Sequence, residues 1–439
     1  MSNKTILVNA LNTTTPRPEL FASVTSSDTE GLLDVNVTSE VNNRPIDGAQ
    51  VQITRDSDPG QIIEQTTTNS IGQIPELTLP APPVDYSMEP GANKPYEEYT
   101  ITITAPGFEP FRVSGAEIFS GETAIQNASL LPASPAISGD TELFVIPDHT
   151  LWGDYPPKIA EDEIKPIEET GEIVLSRVVI PEYIVVHNGP PSDRSAKDYY
   201  VPYRDYIKNV ASSEIYSTWP EATLQANILA IQSFTLNRVF TEWYRNKGYD
   251  FTITSSTAYD HKWIPNRNVF ESISNVVDEI FSNYLSRPGV LQPILTQYCD
   301  GKNVTCPNWM SQWGSKSLGD RGYTAIEILR NYYGSSMYIN ATDVISGIPS
   351  SYPGSPLRVG DSGDKVRQMQ AQLNVISDAY PLIPKIAEDG IFGPETEEAV
   401  KTFQQIFKLT PDGIVGFRTW YKISEIYVGV SRIAEGVAR

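Results

Sequence analysis

The 439-residue sequence has few of the side chains that build disulfide frameworks and metal sites. Its two cysteines cannot form a cysteine-rich scaffold, and its three histidines are widely spaced, without the HExxH pairing of a zinc enzyme. Basic residues are also scarce, 33 against 54 acidic ones, and the net charge of −21 argues against the basic surface that nucleic-acid binding needs. No apolar run approaches the length of a membrane span. We therefore expect no metal or other cofactor, no nucleic-acid partner and no membrane span.

The acidic excess is concentrated at the start of the chain. Residues 1–180 carry 27 of the 54 acidic side chains but only 9 of the 33 basic ones. The first residues lack the apolar segment of a secretion signal, so we expect synthesis without one. The length of 439 residues is typical of roughly two to four domains.

Residues 1–133 have the pattern of an all-β sandwich. Segments 34–37, 49–54 and 99–104 alternate apolar and polar side chains and are separated by turn signals. Repeated short strands of this kind predict a small antiparallel sandwich. The runs RPIDGAQVQIT and YTITITAPGFEPF resemble the transthyretin-like or carboxypeptidase-regulatory sandwich. The segment offers no nucleophile or acid–base pair, so we interpret it as a pro-domain for folding or docking.

Residues 134–180 are predicted to be a linker. The stretch DYPPKIAEDEIKPIEETGE is rich in proline and acidic residues. Because like charges repel and such a composition buries no core, we expect an extended, solvated and protease-accessible segment. A solvated spacer is one interpretation. The other is a maturation site, since the linker separates the acidic β domain from everything downstream.

Residues 181–350 are predicted to form an α+β domain. Five of the seven tryptophans fall here, which fits either a core or a carbohydrate groove. Apolar residues recur at helical spacing in the second of four predicted helices, which gives it a buried face. The predicted helices span 205–213, 222–243, 273–284 and 325–333.

Residues 355–439 contain an internal repeat. The sequence DGIFGPET at 389–396 recurs as DGIVGFRT at 412–419, and each copy is a glycine-containing turn that leads into a helix. Three helices are predicted, at 364–375, 395–407 and 418–427. The pattern LRVGDSGDKVRQMQAQL…DGIFGPETEEAVKTFQ…DGIVGFRTW resembles the three-helix peptidoglycan-binding module of bacterial cell-wall enzymes.

The central region resembles the sporulation-type peptidoglycan lytic transglycosylases. The likeness is carried by YIKNVASSEIYSTWPEATLQANILAIQSFTLNR, by STAYDHKW…NVVDEIFSNYL…PILTQYCDG, and by MSQWGSKSLGDRGYTAIEILRNYYG. It implies cleavage of the bond from N-acetylmuramic acid to N-acetylglucosamine, with one glutamate as acid and then base and a 1,6-anhydro product. Such an acid needs a partly desolvated setting.

Glu214 is the first candidate for that glutamate. Its spacing to Trp219 and Pro220 matches the family pattern, and its neighbours are apolar and aromatic. Glu221 is the reserve candidate, because the family's second glutamate corresponds to Ala222. Without the resemblance, a glutamate near a helix end would be interpreted as a cap or a solvated charge.

Further residues are predicted to bind substrate. Gln312 and Ser311 can hydrogen-bond N-acetyl and hydroxyl groups, and Trp313 can stack on a sugar face. The alternative for this stretch is a tight glycine turn with a buried tryptophan. Tyr298 and Asp260 are weaker candidates for hydrogen bonding in the groove.

The cysteines, Cys299 and Cys306, flank a short loop. Some relatives hold zinc with one histidine and two cysteines placed further upstream, but here that region offers only His261. A disulfide or two free thiols is favoured over a metal. A zinc amidase site cannot be assembled from three separated histidines, and a cysteine–histidine amidase lacks a convincing histidine partner.

The domain order resembles the clostridial spore cortex-lytic enzymes. That resemblance implies a precursor stored in the cortex and coat region of the spore, with spore cortex peptidoglycan as substrate. A subtilisin-like germination protease would activate it by cleavage within 134–180. The alternatives are a muramidase, an N-acetylmuramoyl-L-alanine amidase, or a wall-binding protein without catalysis. The acidity is then a property of the part that the protein sheds.

Overall fold

The computed structural model describes residues 29–133, 143–165 and 175–431. The segment from 29 to 133, here called the β region, has two sheets. Its strands are β1 Glu30–Ser39, β2 Gln50–Arg55, β3 Asp58–Thr67, β4 Leu77–Pro80, β5 Glu97–Thr104, β6 Phe111–Ile118 and β7 Thr123–Leu130. Every second side chain of β5 from Tyr99 to Ile103 is fully buried, as a two-residue period requires. The predicted β-rich N-terminal region is confirmed.

Two details of the β region differ from the prediction. A single helical turn, α1 Asp85–Met88, interrupts the strands, so the region is not entirely β. The sheets are also not purely antiparallel, because β1 runs parallel to β7 with Leu32 opposite Thr123. Parallel partners need a long connection, and the chain between these two strands forms most of the second sheet.

Each sheet of the β region gains an edge strand from later in the chain. Strand β8 Leu143–Val145 pairs in parallel with β6, and strand β12 Val269–Phe270 pairs antiparallel with β7. Beside β12, the buried guanidinium of Arg267 donates to the carboxylate of Glu117 at 2.8 Å. The indole of Trp219 donates to the carbonyl of Ser87 at 3.0 Å. The β region is therefore docked on the central region through main-chain and buried polar contacts.

The described parts of the predicted linker are packed against the protein. Ile146, Leu151, Val178 and Ile180 are buried, and Lys165 is only 4% exposed. The expectation of a fully solvated spacer is therefore wrong at these positions, whereas others in 143–165, such as Pro157 and Ile159, are exposed. The remaining predicted linker residues, 134–142 and 166–174, lie outside the described residues. We call residues 148–165 the strap.

The central region combines buried helices with short strands. Its helices are α2 Tyr203–Glu214, α3 Glu221–Phe240, α4 Glu271–Ile280, α5 Gln312–Asp320 and α6 Ala325–Tyr333. Its other strands are β9 Tyr183–His187, β10 Asp198–Pro202, β11 Ile253–Thr254, β13 Asn283–Ser286, β14 Tyr298–Cys299, β15 Met310–Ser311 and β16 Tyr338–Ala341. The predicted helix at 273–284 ends early because its last residues form β13 opposite β16. Within the described residues, the helices are too short or too polar to cross a membrane.

Helix α5 was missed by the sequence interpretation, which gave only a tight glycine turn as the structural alternative for this stretch. Its two glycines have low helix propensity, but each allows a neighbour to approach closely. A Cβ at Gly314 would collide with the hydroxyl of Tyr332, and a Cβ at Gly319 would collide with the hydroxyl of Thr223. Close packing therefore explains glycines inside this helix.

The C-terminal region forms the three predicted helices. They are α7 Asp364–Ser377, α8 Pro394–Ile406 and α9 Phe417–Ser431. In the first repeat, the buried Gln370 amide accepts from the backbone of Gly390 at 2.8 Å and donates to Asp389 at 3.0 Å. In the second, Gln404 makes the same bonds to Gly413 and Asp412, both at 2.8 Å. The repeat thus encodes a turn that a glutamine on the preceding helix fixes.

Replacing Gln404 with alanine should loosen this module. The change leaves the Gly413 amide and the Asp412 carboxylate without their buried partner, which should cost about 2 kcal/mol of opening free energy. Hydrogen exchange of α8 and α9 in the full chain measures that loss. The adjacent Gln405 is exposed, so Gln405→Ala should leave exchange unchanged; equal effects of the two variants would contradict the role of Gln404.

Candidate active site

Glu214 is the last residue of α2 and is only 3% exposed. One carboxylate oxygen, Oε1, accepts the backbone N–H of Lys262 at 2.6 Å. The other, Oε2, accepts the hydroxyl of Tyr298. The side-chain amide of Gln312 donates to the Glu214 carbonyl at 2.9 Å and so holds the end of the helix. Two hydrogen bonds therefore hold the carboxyl group, and a third holds the backbone of the same residue.

The charge state of Glu214 depends on opposing effects. Burial raises the pKa of its carboxyl above the ordinary value. The nearby Lys158 ammonium and the Tyr298 hydroxyl stabilise the carboxylate and oppose that rise. A raised pKa suits a group that must be protonated at the start of a reaction and ionised afterwards.

Tyr298 is held in place by a stack of buried rings. The imidazole of His261 lies parallel to the Tyr298 ring, with 6.0 Å between centroids. The His261 Nδ1 is 3.0 Å from the hydroxyl of Tyr206. Burial lowers the pKa of His261 well below its ordinary value, so the ring is neutral. Burial also raises the pKa of Tyr298, and its hydroxyl stays protonated as a donor to Glu214.

Glu214 faces a cavity of about 440 Å³, within the range of ligand pockets. One side is formed by residues of the central region, namely Glu214, Thr257, Tyr298, Cys299, Asp300, Asn303, Val304, Thr305 and Gln312. The other side is formed by strap residues, namely Thr150, Gly153, Asp154, Tyr155, Pro156, Pro157 and Lys158. The pocket thus joins the predicted acid to two predicted binding residues, Tyr298 and Gln312.

Other predicted site residues lie elsewhere. Ser311 is the N-cap of α5, and its hydroxyl accepts the N–H of Gly314 at 2.9 Å. Trp313 is 8% exposed and packs on Trp219 with 5.0 Å between ring centroids. Stacking of a sugar on Trp313 is therefore not supported, because its neighbours already cover it. Glu221 is exposed in the first turn of α3, and its carboxylate accepts a hydrogen bond from the side-chain amide of Gln225 at 3.0 Å.

Asp260 does not line the groove as predicted. Its carboxylate is fully buried and forms an ion pair with Arg238 at 2.7 Å. The same carboxylate accepts from the hydroxyls of Tyr244 and Thr254 at 2.6 and 2.7 Å. These contacts occupy both oxygens, so Asp260 stabilises the fold around α3.

The cysteines and histidines do not fit a zinc site. Cys299 and Cys306 form a disulfide, which settles the alternative left open by the sequence and removes both thiolates as ligands. His261 is committed to Tyr206, as described above. Across the described ranges, no three His, Cys, Asp or Glu side chains are grouped so that they could hold a metal ion.

Sequence reasoning missed two neighbours of Glu214. The N–H of Lys262 is a backbone group, which no side-chain motif reveals. Lys158 belongs to the predicted linker and approaches Glu214 only through the path of the strap. Nothing in the local sequence around Lys158 indicates that contact.

Two parts of the chain match models of known protein families. Residues 194–283 match the family model of the stage II sporulation protein. Residues 362–423 match that of the peptidoglycan binding domain. The first match contains Glu214, and the second contains most of the three C-terminal helices. Together they show that one chain combines a sporulation-related region with a peptidoglycan-binding region.

Individual relatives match mainly short parts of the chain. A zinc D-Ala-D-Ala carboxypeptidase of Streptomyces albus G is 41% identical over 71 residues, 16% of this chain and 26% of the relative. A Kitasatospora aureofaciens protein is 45% identical over 64 residues, 14% of this chain and 50% of the relative. A solved peptidoglycan-binding protein from Clostridioides difficile, in complex with glutamine hydroxamate, is 32% identical with a TM-score of 0.15, and covers 17% of this chain and 42% of that one. The chain spans half or less of each of these relatives.

Proposed function

We propose that the protein is the precursor of a peptidoglycan lytic transglycosylase that acts on spore cortex. The observation that carries this proposal is the environment of Glu214. Its carboxyl is buried, faces a pocket and accepts a hydrogen bond from the hydroxyl of Tyr298. Its location within the stage II sporulation match supports the reaction class. The C-terminal match supports delivery to the polymer.

Glu214 would act twice in the reaction. Protonated, it gives its proton to the glycosidic oxygen, the bond to the muramic acid carbon breaks, and an oxocarbenium-like centre forms. The resulting carboxylate then takes the proton from the sugar's own 6-hydroxyl, whose oxygen closes the 1,6-anhydro ring. Tyr298 and the Lys262 N–H stabilise the carboxylate between the two steps. No water is consumed.

The precursor state is part of the proposal. The protein would be stored in the cortex and coat region of the spore, and a subtilisin-like germination protease would cleave it within 134–180. The packing of the strap against the Glu214 pocket supports an inactive uncleaved form.

A hydrolase is the second candidate, because Asp300 lines the same pocket. Hydrolases of glycosidic bonds use paired carboxylates. The Asp300 oxygens accept the backbone N–H groups of Asn303 and Val304 at 2.8 and 2.9 Å. Since these bonds commit Asp300 to its loop, we favour the single-carboxyl reaction.

Muropeptide analysis tests the proposed function. Spore cortex is digested with the cleaved protein, and the fragments are separated and weighed. Anhydro-muramic ends are the expected product. Reducing ends would indicate a muramidase. New free amines with an intact glycan would indicate an amidase, and binding without release of fragments would indicate a wall-binding protein.

Replacing Tyr298 with phenylalanine should slow cleavage about tenfold, because the Glu214 carboxylate loses one hydrogen bond that stabilises its charge. The general acid works only while protonated, so the rate falls as pH rises through the pKa of Glu214. Tyr298 lowers that pKa by stabilising the carboxylate. Its removal should therefore move the alkaline limb of the pH–rate profile to higher pH, as measured by fragment release. A slower enzyme with an unmoved limb would indicate a merely structural role for Tyr298.

A further inference from the structure

The strap follows a continuous path across the central region. Near its start, the backbone N–H and hydroxyl of Thr150 both donate to the carbonyl of Ser213, at 3.2 and 3.0 Å. Ser213 immediately precedes Glu214. Further along, the N–H of Ile159 donates to the carbonyl of Ala258 at 2.7 Å. Between these two anchors, the strap passes over the pocket.

Lys158 is a strap residue that lines the pocket together with Glu214. Its ammonium donates to the carbonyl of Asp260. It also lies 4.8 Å from the centroid of the Tyr298 ring, a cation–π contact. The side chain is half-buried. Lys158 therefore contacts the same tyrosine that donates to Glu214.

The far end of the strap is fixed by its acidic residues. Glu161 accepts from both terminal nitrogens of the buried Arg238, at 3.1 and 2.5 Å. Glu163 also accepts two hydrogen bonds from one arginine, in this case from Nε and Nη2 of Arg287, at 2.6 and 2.7 Å. Two bidentate pairs of this kind combine charge with a fixed geometry. The strap is therefore bound at both ends and does not simply rest on the pocket.

The β region takes no direct part in covering Glu214. Among the described residues, those that line the pocket belong to the strap or to the central region, and none lies in 29–133. The β region instead contacts the segment that follows Glu214, through Ser87 and Trp219.

We propose that the strap is the inhibitory element of the precursor, and that Lys158 holds it across the groove in the position of the glycan substrate. This inference rests on the proposed function and names the regulation of the same site. Residues 153–158 form one wall of the pocket, so a glycan strand that reaches Glu214 has to pass against them or displace them. The Lys158 ammonium also stabilises the ionised form of Glu214, which is the wrong form for the first proton transfer.

The test uses the full-length, uncleaved chain and the variant Lys158→Glu. The new carboxylate faces Glu214 and the electron-rich Tyr298 ring, so that part of the strap should leave the pocket and move into solvent. The matched control is Lys197→Glu, because Lys197 also lies 4.8 Å from the centroid of a tyrosine ring, that of Tyr199, but does not line the pocket. Lys158→Met removes the charge and keeps most of the volume, should Lys158→Glu fail to fold.

The first measurement is independent of catalysis. Carbodiimide-driven coupling of an amine to Glu214, followed by peptide mass spectrometry, reports access to the carboxyl. Loss of the lysine contacts should speed this labelling about tenfold in Lys158→Glu, and less in Lys158→Met, with wild type and Lys197→Glu equal. Unchanged labelling in both Lys158 variants, folded as wild type by circular dichroism, would overturn the inference.

The second measurement is fragment release from cortex peptidoglycan by the same uncleaved proteins. Lys158→Glu should release fragments without proteolysis, whereas wild type and Lys197→Glu should not. If labelling rises but no protein releases fragments, cleaved or uncleaved, the strap inference stands and the proposed function fails. If cleaved wild type is active while neither Lys158 variant gains labelling, the proposed function stands and the strap inference fails.

Discussion

Replacing Glu214 with glutamine should slow glycan cleavage by the proteolytically activated protein about a thousandfold, within the range that general acid catalysis supplies. The amide keeps the size of the carboxyl group and can still accept the N–H of Lys262. It cannot deliver a proton to the glycosidic oxygen or take one from the 6-hydroxyl. The initial rate of fragment release from cortex measures this effect.

Glu221→Gln is the matched control for this substitution. Glu221 is exposed on α3, so its change should alter the rate by no more than about twofold. It also tests the reserve assignment directly. A Glu214→Gln enzyme that retains most of its activity while Glu221→Gln loses it would move the catalytic role to Glu221.

Replacing Arg238 with methionine should lower the free energy of unfolding of the central region by about 3–5 kcal/mol, the usual cost of removing one partner from a buried ion pair. Arg238 is 1% exposed. Without it, the buried carboxylate of Asp260 loses its ion-pair partner. Glu161 of the strap loses one of its two cationic partners and keeps only Lys165. Urea unfolding followed by tryptophan fluorescence reports this region, because five of the seven tryptophans lie in it.

Arg245→Met provides the comparison for Arg238→Met. Arg245 pairs with Glu242 at 3.3 Å, but its side chain is 51% exposed, and such surface pairs contribute less than about 1 kcal/mol. The two variants remove the same charge from the same part of the chain. Equal losses of stability would contradict the structural role assigned to Arg238 and Asp260.

Local sequence was sufficient where the structural determinants are local. The three C-terminal helices follow from the repeated DGI turns. In these turns, Gly390 and Gly413 lie only 20 and 9 residues after the glutamines that accept their N–H groups. The position of Glu214 at the end of α2 was also predicted, since apolar residues and a Trp-Pro pair surround it in sequence. In both cases, the interactions that decide the structure are visible in one segment.

The strap was mispredicted because its determinants are distant. Its acidic residues look mutually repulsive when only the local composition is considered. Glu161 meets Arg238, 77 residues later, and Glu163 meets Arg287, 124 residues later. A composition argument cannot include those pairs. Asp260 was misassigned for the same reason, since an aspartate near an aromatic motif gives no sign of its ion pair with α3.

In the proposed reaction, a single carboxyl, that of Glu214, cleaves glycan with the sugar's own hydroxyl as nucleophile. Digestion of cortex in oxygen-18-labelled water, with mass spectrometry of the new glycan ends, tests it most directly. We expect anhydro ends that carry no label, because no water enters the products. Labelled reducing ends would contradict it and would identify a hydrolase.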